Sequence, residues 1–451
     1  MTTTTTTTTN AKTILYVSTE ANKIAVVKVD DLGNLIETVQ TIDAVVDPLP
    51  EGVHAPSTPS HKLGTEWIDK HPQYKLLFVL TSFWSVRPAI LTTFRIETDG
   101  RLTKLAHVST RGFQACYATF SPDGSTYCVA HHNCGRVVFF DITTDRGITE
   151  GPLPTTIRAP IVDPDPSSAA VIEPQDSTMG VGVPCAHHVL YAPNRKYLLV
   201  VDAIQHAVLT YAVDERGRPI ADNNDQDDAA IQPTSSQIVT TDQTNVSWFQ
   251  NALKWILSKL ISPGFPQRIR RAAVHPSGRF IYVLYEFANA VQVYGIDDTG
   301  KMDETCLCDL KIAEIDTLTQ YWWIGVGITA AAEMTASSDG LIVSVRGKPA
   351  PGCRADSCVR TLSYVDEGRQ LAYQQRMETP SAVRHFACAL EPPSVPGEDP
   401  VKVVWVGINS ASYPMVQKYR MVPSSENYEL TGEANVGMDV FCVVPLPVGE
   451  L

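Results

Sequence analysis

The chain has 451 residues, of which 44% are hydrophobic, and its formal net charge is -13 at pH 7. A chain of this length and composition can bury a large core. The acidic balance argues against a general affinity for nucleic acid or anionic membranes, and no apolar run reaches the roughly 18 residues of a membrane span. We therefore expect neither nucleic acid nor a membrane among its partners.

The first residues, MTTTTTTTTNAK, are dominated by threonine and contain neither a basic region nor an apolar run. Such a segment is not a secretory signal, and its low complexity predicts a disordered tail over residues 1–11. The ten cysteines show no spacing typical of a metal site or of a disulfide framework. We expect buried free thiols, no metal or other cofactor, and a cytoplasmic protein.

Short β-branched runs alternate with turns rich in Gly, Asp, Asn and Pro, which is typical of antiparallel strands. The first predicted unit covers residues 13–41, with a hairpin at Asp31-Leu32-Gly33. A long connection rich in Pro and His is predicted from Asp47 to Pro72. The strands of the next three units are predicted, in chain order, at LLFVLTS, AILTTFRI and LTKLAHV, then CYATF, TYCVA and RVVFFDI, then HHVLYAP, KYLLVVD and AVLTYAV.

A polar insertion is predicted after the fourth unit, at residues 222–267. Within it, Phe249, Leu253, Ile256 and Leu260 have the spacing of one helix face. This spacing predicts a short amphipathic helix over Trp248–Leu260. We expect the helix to pack as a lid on one face of the domain.

The fifth unit, residues 270–300, is the clearest copy of the repeat, with strands predicted at Ala272–Val274, Phe280–Tyr285 and Ala290–Ile296. Two more units follow, one around LIVSV, RTLSYV and LAYQQRM and one around VKVVWVGI and MVQKYRMV. Self-similarity at a period longer than about 40 residues predicts sheets repeated radially. The chain is therefore predicted to be all-β, a single seven-bladed β-propeller domain of four-stranded antiparallel blades over residues 12–451.

The closing run Met438–Pro445 is one more predicted strand without a unit of its own. We expect it to pair with the strand at Ile14–Ser18 and to complete the first blade. Such pairing closes the ring and removes two free sheet edges.

The SPDG and HPSG turns, the block from Arg270 through His275-Pro276 to Glu286, and the closing strand together resemble a known propeller family. This is the seven-bladed family that contains bacterial 6-phosphogluconolactonase and fungal 3-carboxy-cis,cis-muconate lactonizing enzyme, and the resemblance covers nearly the whole chain. It implies an enzyme of lactone hydrolysis or of cycloisomerisation. It also implies four site residues, matched one at a time: His187, six residues before Pro193; Arg270, five before His275; Glu286, at the end of the next strand; and Arg346, after LIVSV.

The chemistry of these four residue types is consistent with such a site. Two arginines facing one channel, Arg270 and Arg346, would bind a carboxylate or phosphate, so we expect an anionic small-molecule substrate. His187 can give or take a proton near neutrality. Glu286 would either raise the pKa of that histidine or hold Arg270 in position, and both His187 and Glu286 are interpreted as catalytic.

A metal site is not expected at the two histidine pairs, His131-His132 and His187-His188. Side chains adjacent on a regular strand point to opposite faces, so neither pair binds a metal as a unit.

Several functions remain open. The preferred one is a cyclase or cycloisomerase that closes a ring in an unsaturated anionic substrate, in fungal secondary or aromatic metabolism. It is favoured by the predicted lid and by the fungal-looking tail. Trp84, Trp322 and Trp323 would also favour it if they line the channel mouth, the alternative being that they pack between blades. The alternatives are a lactone hydrolase, a pericyclase such as a hetero-Diels–Alderase, and a non-catalytic propeller scaffold, which the four polar residues disfavour. The oligomeric state is left open.

Overall fold

A computed structural model describes most of the chain and leaves several connections undescribed. The predicted helix Trp248–Leu260, residues 1–10 of the tail, and Trp84, Trp322 and Trp323 lie outside the described residues. Among the described residues, no helix has the length and apolar character needed to cross a membrane. The described residues are 11–19, 22–45, 48–51, 53, 63–83, 88–148, 156–158, 184–220, 231, 233–239, 268–313, 328–348, 357–391, 399–409 and 414–451.

Antiparallel strands form seven separate sheets, each a blade in which consecutive strands lie side by side. The third blade differs slightly, because its outermost strand is split into two short pieces that pair with the same neighbour. The strands of the first three blades are β1 (Thr13–Thr19), β2 (Lys23–Val29) and β3 (Leu35–Asp43); β4 (Leu63–Lys70), β5 (Leu76–Phe83), β6 (Pro88–Ile96) and β7 (Leu102–Phe113); and β8 (Ala115–Phe120), β9 (Thr126–His131), β10 (Arg136–Thr143), β11 (Gly147–Ile148) and β12 (Thr156–Arg158).

The remaining blades have four strands each and run outward from the channel in chain order. In the described part of the chain, the helical segments are two short 3-10 turns, at Asp366–Gly368 and Val448–Glu450. The strands of blades 4 to 7 are β13 (Ala186–Tyr191), β14 (Tyr197–Asp202), β15 (Ala207–Ala212) and β16 (Ser235–Ile238); β17 (Ile269–Val274), β18 (Phe280–Tyr285), β19 (Ala290–Gly295) and β20 (Cys308–Lys311); β21 (Ile328–Ala336), β22 (Gly340–Lys348), β23 (Cys358–Val365) and β24 (Gln370–Glu378); and β25 (Val383–Glu391), β26 (Val401–Ile408), β27 (Met415–Val422) and β28 (Asn427–Asn435).

The last strand of the chain, β29 (Val440–Pro447), closes the ring. It pairs antiparallel with β1, with Ile14 opposite Leu446 and Ser18 opposite Cys442. It is therefore the innermost strand of blade 1, and each innermost strand contacts the innermost strands of both neighbouring blades. The predicted seven-bladed propeller and the predicted pairing of the closing run are both confirmed.

Two strands lie where the sequence predicted connections. The predicted connection from Asp47 to Pro72 contains β4, the innermost strand of blade 2, whose sequence LGTEWIDK alternates poorly and carries three charged residues. The predicted insertion 222–267 contains β16, a four-residue outer strand with the polar sequence SSQI. Both strands form because a neighbouring strand supplies their hydrogen-bond partners, which intrinsic β propensity does not register.

The core consists of apolar side chains packed between the faces of neighbouring blades. Between blades 4 and 5, for example, Leu199 and Val201 belong to one buried cluster with Val283 and Tyr285. Equivalent clusters lie between the other blades. This packing fixes the innermost strands around the channel, where the polar side chains of interest lie.

Every innermost strand carries a β-bulge, at which one residue is added to its pairing with the second strand. A bulge interrupts the strict alternation of side chains, so two consecutive residues can both face the channel. The bulges lie at Phe441 in β29, Glu66 in β4, Cys116 in β8, His187 in β13, Arg270 in β17, Ala332 and Glu333 in β21, and Arg384 in β25.

Candidate active site

The four residues implied by the family resemblance converge at one place. Nη1 of Arg270 lies 3.0 Å from Nε2 of His187 and 3.1 Å from Oε1 of Glu286. Arg346 donates from Nη2 to the same Oε1. These residues come from blades 4, 5 and 6, at the face of the ring where innermost strands begin and second strands end.

Glu286 is the centre of this cluster, and it contacts a third arginine that the sequence analysis missed. Nε of Arg268 lies 3.1 Å from Oε2, an ion pair whose geometry does not make a hydrogen bond. Arg268 lies two residues before Arg270, so strand alternation would have placed both on one face. Three guanidinium groups around one carboxylate leave two positive charges uncompensated within the cluster.

The electrostatics of the cluster decide what Glu286 can do. Burial raises its pKa, but the charges of Arg268, Arg270 and Arg346 outweigh burial and lower the pKa to about 2. The carboxylate is therefore ionised at any physiological pH. This favours a positioning role over proton exchange, because a catalytic acid or base needs a pKa near the working pH.

His187 is neutral in this arrangement. A guanidinium can only donate, so Nε2 of His187 must accept from Arg270, and the ring proton lies on Nδ1. Burial, followed by the charge of Arg270, lowers the pKa of His187 well below its usual value. The expectation that Glu286 raises this pKa is therefore wrong, since Glu286 contacts the arginines. Nδ1 is buried and has no hydrogen-bond partner among the described residues.

Below this cluster, side chains from blades 2 to 7 fill the channel; we call this group the channel plug. Arg271 makes two hydrogen bonds to the carboxylate of Glu333, at 2.9 and 3.0 Å, and its guanidinium lies 4.4 Å from the ring centre of Tyr117. The ring centres of Tyr117 and Trp67 are 4.3 Å apart. The plug comprises Trp67, Tyr117, His188, Arg271, Glu333 and His385.

The bulges explain how the cluster and the plug arise from the same strands. Arg270 and Arg271 are consecutive in β17. Arg270 contacts Glu286 in the cluster, whereas Arg271 contacts Glu333 in the channel plug. His187 and His188 behave alike: the first contacts Arg270 and the second packs against Tyr117. The argument that adjacent histidines point to opposite faces therefore fails for this pair, because His187 is the added residue of the bulge.

The other histidine pair contributes one residue to the site. His131 hydrogen-bonds to Thr110 at 2.8 Å, away from the cluster. His132 accepts a hydrogen bond from Nη2 of Arg268, and its ring centre lies 5.5 Å from that of His187. Among the described residues, no three His, Cys, Asp or Glu side chains are grouped so as to hold a metal ion.

The ion pairs predict a large stability effect at the centre of the cluster. Replacing Glu286 by Gln keeps the shape but leaves three guanidinium groups without their counter-charge, and losing one partner of a buried pair costs about 3–5 kcal/mol. We expect the free energy of unfolding to fall by about that amount, as measured by urea denaturation. The matched control is Glu367→Gln, whose exposed pair with Arg279 is screened by solvent, so the free energy of unfolding should change little. Equal losses in the two variants would contradict the interpretation.

Comparison with known proteins identifies the family. A family model described as "Lactonase, 7-bladed beta-propeller" matches residues 60–233 and 269–391, more than half of the chain. The chain belongs to the seven-bladed β-propeller lactonase family. His187 lies in the first matched range and Arg270, Glu286 and Arg346 in the second, whereas Arg268 lies just outside both. The gap in the match coincides with most of the predicted insertion.

Similar solved structures agree on the fold. A periplasmic gluconolactonase from Pseudomonas aeruginosa is 18% identical, with a TM-score of 0.63 over 97% of this chain and 99% of that chain. A putative 6-phosphogluconolactonase from Bacteroides fragilis is 14% identical, with a TM-score of 0.62 over 98% and 99%. A search of the curated proteins found no match. At these identities the likeness to lactonase structures supports the propeller fold and leaves the substrate to be argued from the site.

Proposed function

We propose that the protein is a lactone hydrolase that binds an anionic lactone at the channel mouth. The observation that carries this proposal is the cluster of three arginines around Glu286, which leaves two uncompensated positive charges beside the neutral His187. Arginine pairs of this kind recognise carboxylate and phosphate groups through paired N–H donors. Membership of the lactonase family supports the same substrate class.

Hydrolysis then needs one proton acceptor and one donor, and His187 supplies both. A water oxygen attacks the lactone carbonyl carbon while a water proton passes to Nε2 of His187. The imidazolium returns a proton to the ring oxygen as the carbonyl C–O bond breaks. Arg270 must first turn from Nε2 to the substrate. The substrate anion supports this step, since it competes for Arg270 and offsets the arginine charges that lower the pKa of His187.

Intramolecular ring closure is the second candidate, and one observation favours it. In the described part of the channel, Glu66, Glu286 and Glu333 are each ion-paired with arginine, so activation of water falls to His187, a base weakened by its lowered pKa. In ring closure, the substrate's own carboxylate attacks and no water is activated. A cycloisomerase of an unsaturated acid therefore remains a proposal beside the hydrolase.

Matched substrates test the proposal and separate its two forms. Hydrolysis of 6-phosphoglucono-δ-lactone and of glucono-δ-lactone would be followed by proton release, and ring closure by the loss of ultraviolet absorbance of 3-carboxy-cis,cis-muconate. We expect the charged lactone to be hydrolysed at least about tenfold more efficiently, which corresponds to one charged hydrogen bond. Equal turnover of both lactones would overturn the anionic-substrate proposal. Turnover of the muconate alone would replace hydrolysis by ring closure.

Replacing either Arg270 or Arg346 by Lys should weaken substrate binding although the charge is kept. Lysine presents a single ammonium in place of the planar fork that contacts Glu286 and the substrate. We expect KM to rise about tenfold or more, with a smaller change in kcat. Arg279→Lys, at an exposed ion pair remote from the channel cluster, is the control. Unchanged KM in both cluster variants would remove these arginines from the binding site.

The cellular location belongs to the same proposal. Cys116, Cys128, Cys185 and Cys442 are thiols in the structure. Because disulfides persist in oxidising compartments and thiols in reducing ones, we infer a cytoplasmic protein. Cell fractionation that recovers the protein outside the cytoplasm would contradict this inference.

A further inference from the structure

Arg268 lies outside the four residues that the family resemblance implies, and it approaches Glu286 differently from the other two arginines. Its Nε is 3.1 Å from Oε2, whereas Arg270 and Arg346 contact Oε1. The three guanidinium groups therefore occupy two positions, one beside each oxygen of the Glu286 carboxylate. One position consists of Arg270 and Arg346, and the other consists of Arg268.

A half-buried neutral imidazole, that of His132, holds Arg268 in place. Nη2 of Arg268 donates to Nε2 of His132, so the proton of His132 lies on Nδ1, which donates to Oδ1 of Asn133 at 2.8 Å. Burial and the charge of Arg268 lower the pKa of His132 to about 4. A neutral acceptor orients the guanidinium without cancelling its charge, unlike a carboxylate.

Arg268 also retains binding capacity. A guanidinium carries five N–H groups, and among the described residues the structure engages Arg268 through its contacts with His132 and Glu286. Its side chain is 23% exposed, against 10% for Arg270 and 26% for Arg346. Of the three arginine side chains of the cluster, those of Arg268 and Arg346 are therefore the more exposed, and they contact different oxygens of Glu286.

We infer that Arg268 forms a second anion-binding position at the channel mouth, separate from the Arg270–Arg346 position, so that the site takes a ligand with two separated anionic groups. Each group is a carboxylate or a phosphate, since both match the guanidinium fork. The two uncompensated charges of the cluster equal the charge of a dicarboxylate. The inference deepens the proposed function and rests on it for the anionic character of the substrate.

Binding of simple acids tests this inference without turnover. Calorimetry would compare the dicarboxylates from malonate to adipate with the monocarboxylates of equal length. The wild-type protein should bind the best dicarboxylate about 10- to 100-fold more tightly than its monocarboxylate, as expected for one added charged contact. Arg268→Gln should abolish that preference while the monocarboxylate affinity stays within about threefold. Arg268→Lys should retain part of it.

Two substitutions at His132 distinguish its role in positioning Arg268 from general structural damage. His132→Gln supplies an amide oxygen as acceptor for Arg268 and should keep the dicarboxylate preference, whereas His132→Leu should lose it. Arg279→Gln, at an exposed ion pair, should change neither affinity. Thermal melting identifies any variant that does not fold, in which case Arg268→Lys and the His132 pair decide the question.

Three outcomes would overturn the inference, and they differ in what else they overturn. An unchanged dicarboxylate preference in Arg268→Gln would overturn the second position alone. Equal weakening of both acids would place Arg268 in the same position as Arg270 and Arg346. Failure of the wild-type protein to bind any of the acids would overturn the proposed function and the inference together.

Discussion

Replacing His187 by Gln should lower kcat about 10²- to 10⁴-fold and leave KM almost unchanged. The substituted glutamine can still accept the Arg270 hydrogen bond through its amide oxygen, so the arginine cluster stays in place. It cannot take a proton from water or return one to the leaving oxygen. The loss therefore falls on turnover, and steady-state kinetics with 6-phosphoglucono-δ-lactone would measure it.

The control for this substitution is His107→Gln, in the outer strand of blade 2, which should retain wild-type kinetics. A pericyclic reaction would predict a much smaller loss at His187, because no proton moves in such a reaction. Wild-type kcat in His187→Gln would exclude proton transfer by this residue. A rise in KM with unchanged kcat would instead assign His187 to substrate binding.

Acid should destabilise the protein strongly between about pH 6.5 and 4. Four imidazoles, of which that of His132 is half-buried and the other three are buried, are held neutral. Each accepts a hydrogen bond from a group that only donates: His132 from Arg268, His187 from Arg270, His188 from the amide of Ala272, and His385 from the amide of Val443. For each of these imidazoles, burial is the largest cause that lowers the pKa. The pKa values of His132 and His385 fall to about 4.

The sign follows from proton uptake on unfolding. Each histidine regains a pKa near 6.5 when the chain unfolds, so below that pH the unfolded state binds protons that the folded state excludes. Stability from these groups is complete above about pH 6.5 and falls by about 1.4 kcal/mol per histidine for each pH unit until the folded pKa is reached. Together the four should remove several kcal/mol by pH 5.

Urea denaturation at pH 7.5, 6 and 5 would measure this loss as a falling midpoint. The matched variant is His385→Gln, in which the amide oxygen can accept from Val443 but does not titrate, so its midpoint should fall less steeply. A midpoint that stays constant from pH 7.5 to 5 would contradict the assignment of neutral imidazoles.

The blades could be predicted from the sequence because most strands read as β-branched runs between turns. The closing strand was predictable for a topological reason: a run without a unit of its own has to pair with the first blade. Leu63–Lys70 and Ser235–Ile238 were not predicted, since their polar sequences form strands only through the partners that the ring brings beside them.

The candidate site was predictable in its residue types but not in its geometry. His187, Arg270, Glu286 and Arg346 were implied by family resemblance, and the structure brings them into contact. The bulges were not predictable, because an added residue leaves no mark in a hydrophobic pattern. Without them, the division between the cluster and the channel plug could not be inferred.

The central claim is that the arginine cluster at the channel mouth binds the anionic group of a lactone substrate. A crystal structure with 6-phosphogluconate, the product of the corresponding hydrolysis, tests it most directly. We expect anionic oxygens within about 3 Å of the Arg346 guanidinium, as in a charged hydrogen bond, with Arg270 turned from His187 toward the ligand. A ligand bound elsewhere on the ring, with the contacts of Glu286 and His187 unchanged, would contradict it.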